Sequence, residues 1–291
     1  MKSFILNSVL LLTLFAAGCS VITQRTDTVT VGTFNIAWLG DGDKDREKRD
    51  DDDYARIASV ITQMNADIIG LQEIENEAAL RKVMRYLDSY SCFVGSTARG
   101  QNVALLYKEG IEVQKIYEYM PVAIHKGRNR PGLVAHCKKG NFDWTMMVVH
   151  LKSTSRYDST DEMRQESRET RRLQCSAISH WVDSVVTTKE KDVIIVGDFN
   201  DFPLRKKDPT LTTLLENKQV TFITKERKSC KDEKLFAIDH IVTSQTAQKR
   251  FLLGSDGMIN FYASEKKEIA QKISDHCPVV STFEILSPDN D

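Results

Sequence analysis

The chain has 291 residues, 41% hydrophobic and 28% charged, with a formal net charge of −1. This is ordinary globular composition, enough for a sizeable core, and length alone does not separate one large α/β domain from two smaller ones. The near-zero charge excludes a global field that draws in nucleic acid, so any polyanion must be held by local clusters.

At the start, Lys2 precedes an apolar run from Phe4 to Ala17, and Gly18 and Cys19 follow. A positive start, an apolar segment too short to span a membrane as a mature helix, and small residues at a cleavage point read as a secretory signal. The cysteine directly after them resembles a bacterial lipoprotein lipobox, which implies removal of residues 1–18 and acylation of Cys19. Acyl chains there would anchor the chain to a membrane, each buried methylene adding ~0.8 kcal/mol. Ordinary secretion, with cleavage near Ala17 and no lipid, is the alternative. Residues 19–28 are then a tether and 29–286 the folded domain, placed in the periplasm or at the cell surface. Cys92, Cys137, Cys175, Cys230 and Cys277 remain. An oxidising compartment permits one or two disulfides among them and leaves at least one thiol free. Their pairing is not legible, and Cys277, which leads into an apolar strand, reads as core rather than bridge.

Residues 29–36 alternate, are rich in β-branched side chains and carry Asn35 at their end, the pattern of a strand. The stretch 41–53 is a charged loop whose acidic residues lead into a helix N-terminus; it lacks the pattern of a calcium loop. Ile57, Val60, Ile61 and Met64 recur at helical period over 54–65, and 67–73 is a buried strand ending in Glu73. Strand, helix and strand suggest a crossover that brings two strand ends together. A helix is expected over 77–89, and short strands over 102–107 and 111–117. Residues 133–137 and 144–148 form a hairpin whose second strand runs into His150. A helix over 160–186 has a densely charged first half. The run Ile194-Ile195-Val196-Gly197-Asp198-Phe199-Asn200-Asp201 then reads as a strand buried on both faces, with a polar tip where an open α/β sheet places its ligands. A short helix over 210–217 and strands over 238–242 and 278–285 complete the pattern.

Asn35, Glu73, His150, Asp198, Asn200, Asp239, Asp275 and His276 thus lie at or beside strand tips, and one sheet edge can gather them. Oxygen donors with few imidazoles suit a hard cation, Mg²⁺ or Mn²⁺, with Ca²⁺ as a conceivable second ion. That points to phosphoryl chemistry.

The motifs Thr33-Phe34-Asn35-Ile36, Leu71-Gln72-Glu73-Ile74, Val149-His150-Leu151, Gly197-Asp198-Phe199-Asn200, Ile238-Asp239-His240-Ile241 and Ser274-Asp275-His276-Cys277-Pro278 occur in one order. Over nearly all of 29–285 they resemble the endonuclease/exonuclease/phosphatase, or deoxyribonuclease-I-like, superfamily. The resemblance implies an α/β four-layer sandwich, two central mixed β-sheets flanked by helices. It implies Glu73 as principal metal ligand, with Asn35 and Asp275 in the same metal region. His276 would activate water or contact the scissile phosphate, with Asp239 orienting it. Asp198 and Asn200 would position the nucleophile and the phosphate oxygens, His150 would serve as general acid, and Arg130 would clamp the substrate backbone. His240 should face away from Asp239. His125, His136 and His180 read as ordinary, and Asp201 as a turn residue or helix cap.

The preferred function is an exported, monomeric, metal-dependent phosphodiester hydrolase cleaving DNA. A sphingomyelinase-like hydrolase of lipid head groups and an inactive binding lipoprotein are the alternatives. Arg164, Arg168, Arg171 and Arg172 read as a solvated helix face pairing with Glu162, Glu166 and Glu169. Glu75 stands where nucleases of this type can carry a DNA-touching arginine, which weakens groove binding.

Overall fold

Two strand–helix–strand units form the centre of the structure, a computed structural model that describes residues 27–98, 100–188 and 190–289. The expected signal, Cys19 and the tether up to residue 26 lie outside the described residues. In the first unit β1 (Thr28–Leu39) leads through α1 (Asp51–Met64) to β2 (Ile68–Ile74), and the strands pair in parallel with Val31 opposite Ile68. Then come α2 (Glu77–Met84), β3 (Tyr90–Val94), β4 (Asn102–Lys108), β5 (Glu112–Tyr119) and β6 (Gly132–Lys139). In the second unit β7 (Phe142–His150) leads through α3 (Asp161–Thr188) to β8 (Val193–Asp198), again parallel, with His150 opposite Asp198. The remaining elements are α4 (Thr212–Glu216), β9 (Val220–Phe222), β10 (Asp239–Ser244), α5 (Gln245–Arg250), β11 (Gly257–Met258), α6 (Lys267–Ile273) and β12 (Val279–Glu284).

Among the described residues these strands make two six-stranded mixed sheets, ordered β11-β12-β1-β2-β4-β3 and β5-β6-β7-β8-β10-β9. Between them Val31, Ile68 and Leu105 meet Trp144, Met146, Val148 and Val196. Gly70 allows that approach, since a Cβ there would lie 2.5 Å from Val196 Cγ2. Ile57, Ile61, Leu80 and Val83 of α1 and α2 cover the outer face of the first sheet, and Ile178, Trp181 and Val182 of α3 cover the second. The four expected layers follow. Asp50 caps α1 reciprocally with Asp53, so the acidic run serves a helix start, as its position suggests. No helix among the described residues is long and apolar enough to cross a membrane.

The expected helix over 77–89 stops at Met84, because Ser89 takes a left-handed turn (φ 60°) and Tyr90–Val94 then pairs with β4 as an edge strand. His240 faces inward and is fully buried, with Thr224 Oγ1 3.2 Å from its Nδ1. Burial disfavours the charged ring and pushes its pKa down to about 4. The stability this contributes, up to ~3 kcal/mol, is present above the unfolded pKa near 6.5 and is lost as pH falls through the folded value. Urea unfolding between pH 7 and pH 4 should therefore show falling stability, with a shallower fall in His240→Asn; identical slopes would refute this origin.

Cys277 corrects its expected role: it forms a disulfide with Cys230, 47 residues away, while Cys92, Cys137 and Cys175 are free. A bridged cysteine buries as an apolar residue does, so the local pattern could not tell the two apart. Closing a loop of that length is worth about 4 kcal/mol on chain-entropy grounds. Cys230→Ser with Cys277→Ser should lower the thermal midpoint by about 10 °C; a midpoint equal to that of the oxidised parent would refute the contribution.

Candidate active site

The ends of β1 and β2 leave their regular ladders just where the polar residues begin. Register shifts occur between Asn35 and Leu39 and between Leu71 and Ile74, and Ala37, Trp38 and Glu73 take left-handed backbone at φ 47°, 60° and 63°. Such bulges re-aim side chains and are held only by surrounding structure. Glu73 accepts the Trp38 amide at 3.0 Å and the Asn35 amide group at 3.4 Å. Arg49 holds the displaced chain, donating to the carbonyls of Ile36, Ala37 and Trp38 and, from α6, Lys272.

Asp198, at the end of β8 and 1% exposed, is the hub. Its Oδ2 accepts from Asn35 Nδ2 (3.1 Å) and Asn200 Nδ2 (3.0 Å), and its Oδ1 accepts the Asn200 amide. His150 Nε2 stands 3.5 Å from the same oxygen and 3.7 Å from Glu73 Oε1. On the neighbouring strand Asp239 lies opposite Asp198, and its Oδ2 is 2.8 Å from His276 Nδ1. Ser274 orients that histidine, accepting the His276 amide while its hydroxyl donates to the Asn35 carbonyl. One ligand atom from each of Asp198, Asp239 and His276 falls within 4.8 Å of the others.

Burial raises the Asp198 pKa; His276 pulls against this, while Asp239 and Glu73 reinforce it. Burial alone would lower the His276 pKa, but Asp239 and Asp198 outweigh it and hold the ring cationic. His150 is pushed the opposite way, well below its ordinary value, by burial and by the charges of Arg130 and His276. The site therefore pairs one cationic with one neutral imidazole.

Glu73, His150, Asp198, Asn200, Asp275 and His276 line one cavity of about 480 Å³. Asn35 touches it through Glu73, and Asp239 through His276. Asp275 is the outermost, its side chain 62% exposed and 3.8 Å from both His276 and Lys231. Arg130 donates to the Gln101 carbonyl and makes no ion pair among the described residues, although Glu73 and Asp198 favour its charge against burial. Trp38, Arg46, Ser153 and Gln271 also line the cavity, with Arg46 stacked 4.2 Å from the Trp38 ring centre. None of these four carries a periodic or motif signal.

Other expectations change. His136 is not ordinary: its two ring nitrogens face Asp143 (3.5 Å) and Glu190 (3.8 Å). Asp201, by contrast, is the turn residue expected, buried and tying Phe202, Arg205 and Thr210. In the charged helix only Arg172 meets an expected partner, Glu169; Arg164 pairs with Asp161, Arg168 with Asp208, and Arg171 is buried. A loop that folds back on the helix supplies acceptors that helical spacing does not reveal. Glu75 accepts the Asp41 amide, a structural use.

Two packed mixed sheets with carboxylates, carboxamides and imidazoles at a shared edge define a deoxyribonuclease-I-like protein. The chain belongs to the Endonuclease/Exonuclease/phosphatase family, whose sequence model matches residues 32–276. Among curated proteins none matches it. It is similar in structure to TDP2 of D. rerio complexed with single strand DNA product (17% identity, TM-score 0.65, covering 88% of this chain and 99% of that one). The mannosyl-6-phosphatase of Bacteroides thetaiotaomicron VPI-5482 is also similar (15%, TM-score 0.64, 87% and 98%). So is an endonuclease/exonuclease/phosphatase family protein from Bacteroides thetaiotaomicron (15%, TM-score 0.65, 91% and 98%). At these identities the likeness is one of fold.

Proposed function

We propose that the protein is a divalent-metal-dependent phosphodiester hydrolase acting on DNA outside the cytoplasm, tethered to a membrane through Cys19. The observation that carries the reaction class is the convergence of Asp198 and His276, the latter backed by Asp239, beside Glu73 at one cavity. Glu73 and Asp275 offer carboxylate oxygen, and Glu73 projects from a strained backbone, which suits a hard cation such as Mg²⁺ or Mn²⁺; Asn35 turns its carboxamide nitrogen to Glu73 and Asp198 and its oxygen to the Ala37 amide, so it positions Glu73. Held by Glu73 and Asp275, such an ion would supply charge that polarises a phosphate oxygen.

The chain's own groups divide the remaining work. Asp198, with its pKa raised, accepts the proton of the attacking water, and Asn200 holds that carboxylate in place. His276, kept cationic by Asp239, stabilises the negative charge that gathers on the phosphate oxygens. His150, kept neutral, donates a hydrogen bond to the leaving oxygen, and Arg130 neutralises a non-bridging oxygen. A neutral ring in that position makes His150 a hydrogen-bond donor in this scheme rather than an imidazolium acid.

Incubation of the purified protein with Mg²⁺ against plasmid DNA, RNA, sphingomyelin and bis-p-nitrophenyl phosphate tests the reading. EDTA-sensitive nicking of the plasmid is expected. Cleavage confined to sphingomyelin would replace the substrate, and inertness towards every ester with Mg²⁺ or Mn²⁺ would overturn the reaction class.

A further inference from the structure

Asn200 stands in the wall of two cavities, the active-site cavity and a neighbouring one of about 610 Å³. Arg164, Arg168, Arg171, Arg205 and Lys207 line this annex against only two carboxylates, Asp161 and Asp208. In a chain of net charge −1 such a cationic excess is a local feature.

Arg171 is the deepest of the five, 3% exposed. Its guanidinium donates to Thr210 Oγ1 at 2.7 Å and to the Lys152 carbonyl, both neutral acceptors, and it makes no ion pair among the described residues. The nearby Asp201 favours the Arg171 charge but reaches it only through the Thr210 hydroxyl, which donates to Asp201 Oδ2, while Arg205 holds Asp201 Oδ1. A buried cation without a bonded countercharge is unfavourable unless an anion approaches it. Lys207 also lacks an ion pair among the described residues. Arg164 and Arg168 hold Asp161 and Asp208 at 2.7 Å and 2.5 Å, but each guanidinium has five N–H donors, so these pairs orient the groups without exhausting them.

We propose that the annex binds a second phosphate of the substrate, adjacent along the strand to the phosphate that is cut. The substrate would then be a polyanionic diester chain rather than a lone phosphate ester. Planar guanidiniums suit a phosphate by geometry as well as charge, and phosphates recur at short, regular spacing along a nucleic-acid strand. A shared wall residue lets one strand present successive phosphates to both cavities. The proposal rests on the hydrolase reading only for which phosphate is cut.

The test uses the full chain and the double variant Arg164→Gln with Lys207→Gln, which leaves the buried Arg171 and the Asp201–Arg205 pair intact. Fluorescence anisotropy of a fluorescein-labelled thymidine octanucleotide, in EDTA so that nothing is cut, should show binding weaker by about tenfold with a shallower dependence on salt. Arg164→Lys with Lys207→Arg, which keeps the charges, should recover most of the affinity. Equal binding by parent and double variant would overturn the proposal. With Mg²⁺, the ratio of kcat/KM for the octanucleotide to that for bis-p-nitrophenyl phosphate should fall by about tenfold in the double variant. A constant ratio would likewise overturn it. If neither ester is cut, the hydrolase reading fails and the anisotropy measurement alone decides the annex.

Discussion

His276→Ala and Glu73→Ala should each lower EDTA-sensitive phosphodiester hydrolysis by about 10³-fold. The first removes the imidazole that lies 2.8 Å from Asp239 and within 3.9 Å of Asp198, leaving two neighbouring buried carboxylates without their cation. Asp198 would then bind a proton and lose its capacity to accept one from water. The second removes the carboxylate to which Asn35 and the Trp38 amide are turned. Both residues line an open cavity, so cooperative unfolding should persist, and thermal melts separate lost chemistry from lost structure. Activity near that of the parent in either variant, with DNA as substrate, would remove the assignment.

Gly197→Ala should be the most damaging single methyl addition, because Gly197 combines a forbidden backbone with no room. Its φ is 149°, and a Cβ built there lies 2.0 Å from the Val149 carbonyl oxygen of the adjacent strand. Val149 pairs with Gly197 in parallel, and His240 pairs with it from the other side, so neither neighbour can move without opening the sheet. Overpacking and left-handed strain together should remove about 3 kcal/mol or more, lowering the thermal midpoint by about 10 °C. Asp198 is the next residue, so hydrolysis should fall with stability. A variant with the parent's melting curve would show that the strand pair accommodates the methyl group, and the tight approach would lose its meaning.

The strands that carry the site were legible because each is a local pattern. Ile194–Val196 is an unbroken apolar run, and Leu133, Ala135 and Cys137 alternate against Trp144, Met146 and Val148; such patterns survive without knowledge of the partner strand. Edge strand Tyr90–Val94 was missed because it is half exposed, and β9, β11, α5 and α6 because they are too short to show a period. Arg49 was invisible for another reason. Nothing in a run of mixed charge says that one arginine will satisfy three carbonyls freed by a bulge.

By itself the sequence determined that these carboxylates, carboxamides and imidazoles stand at or beside strand tips, because hydrophobic period and turn chemistry are properties of contiguous residues. Only the tertiary structure decided their states: which histidine is neutral and which cationic, that Cys230 meets Cys277, and that five cations gather beside Asn200. Those outcomes depend on burial and on charges brought close by distant segments. Such energies fall off with separation in space, to which separation along the chain is no guide.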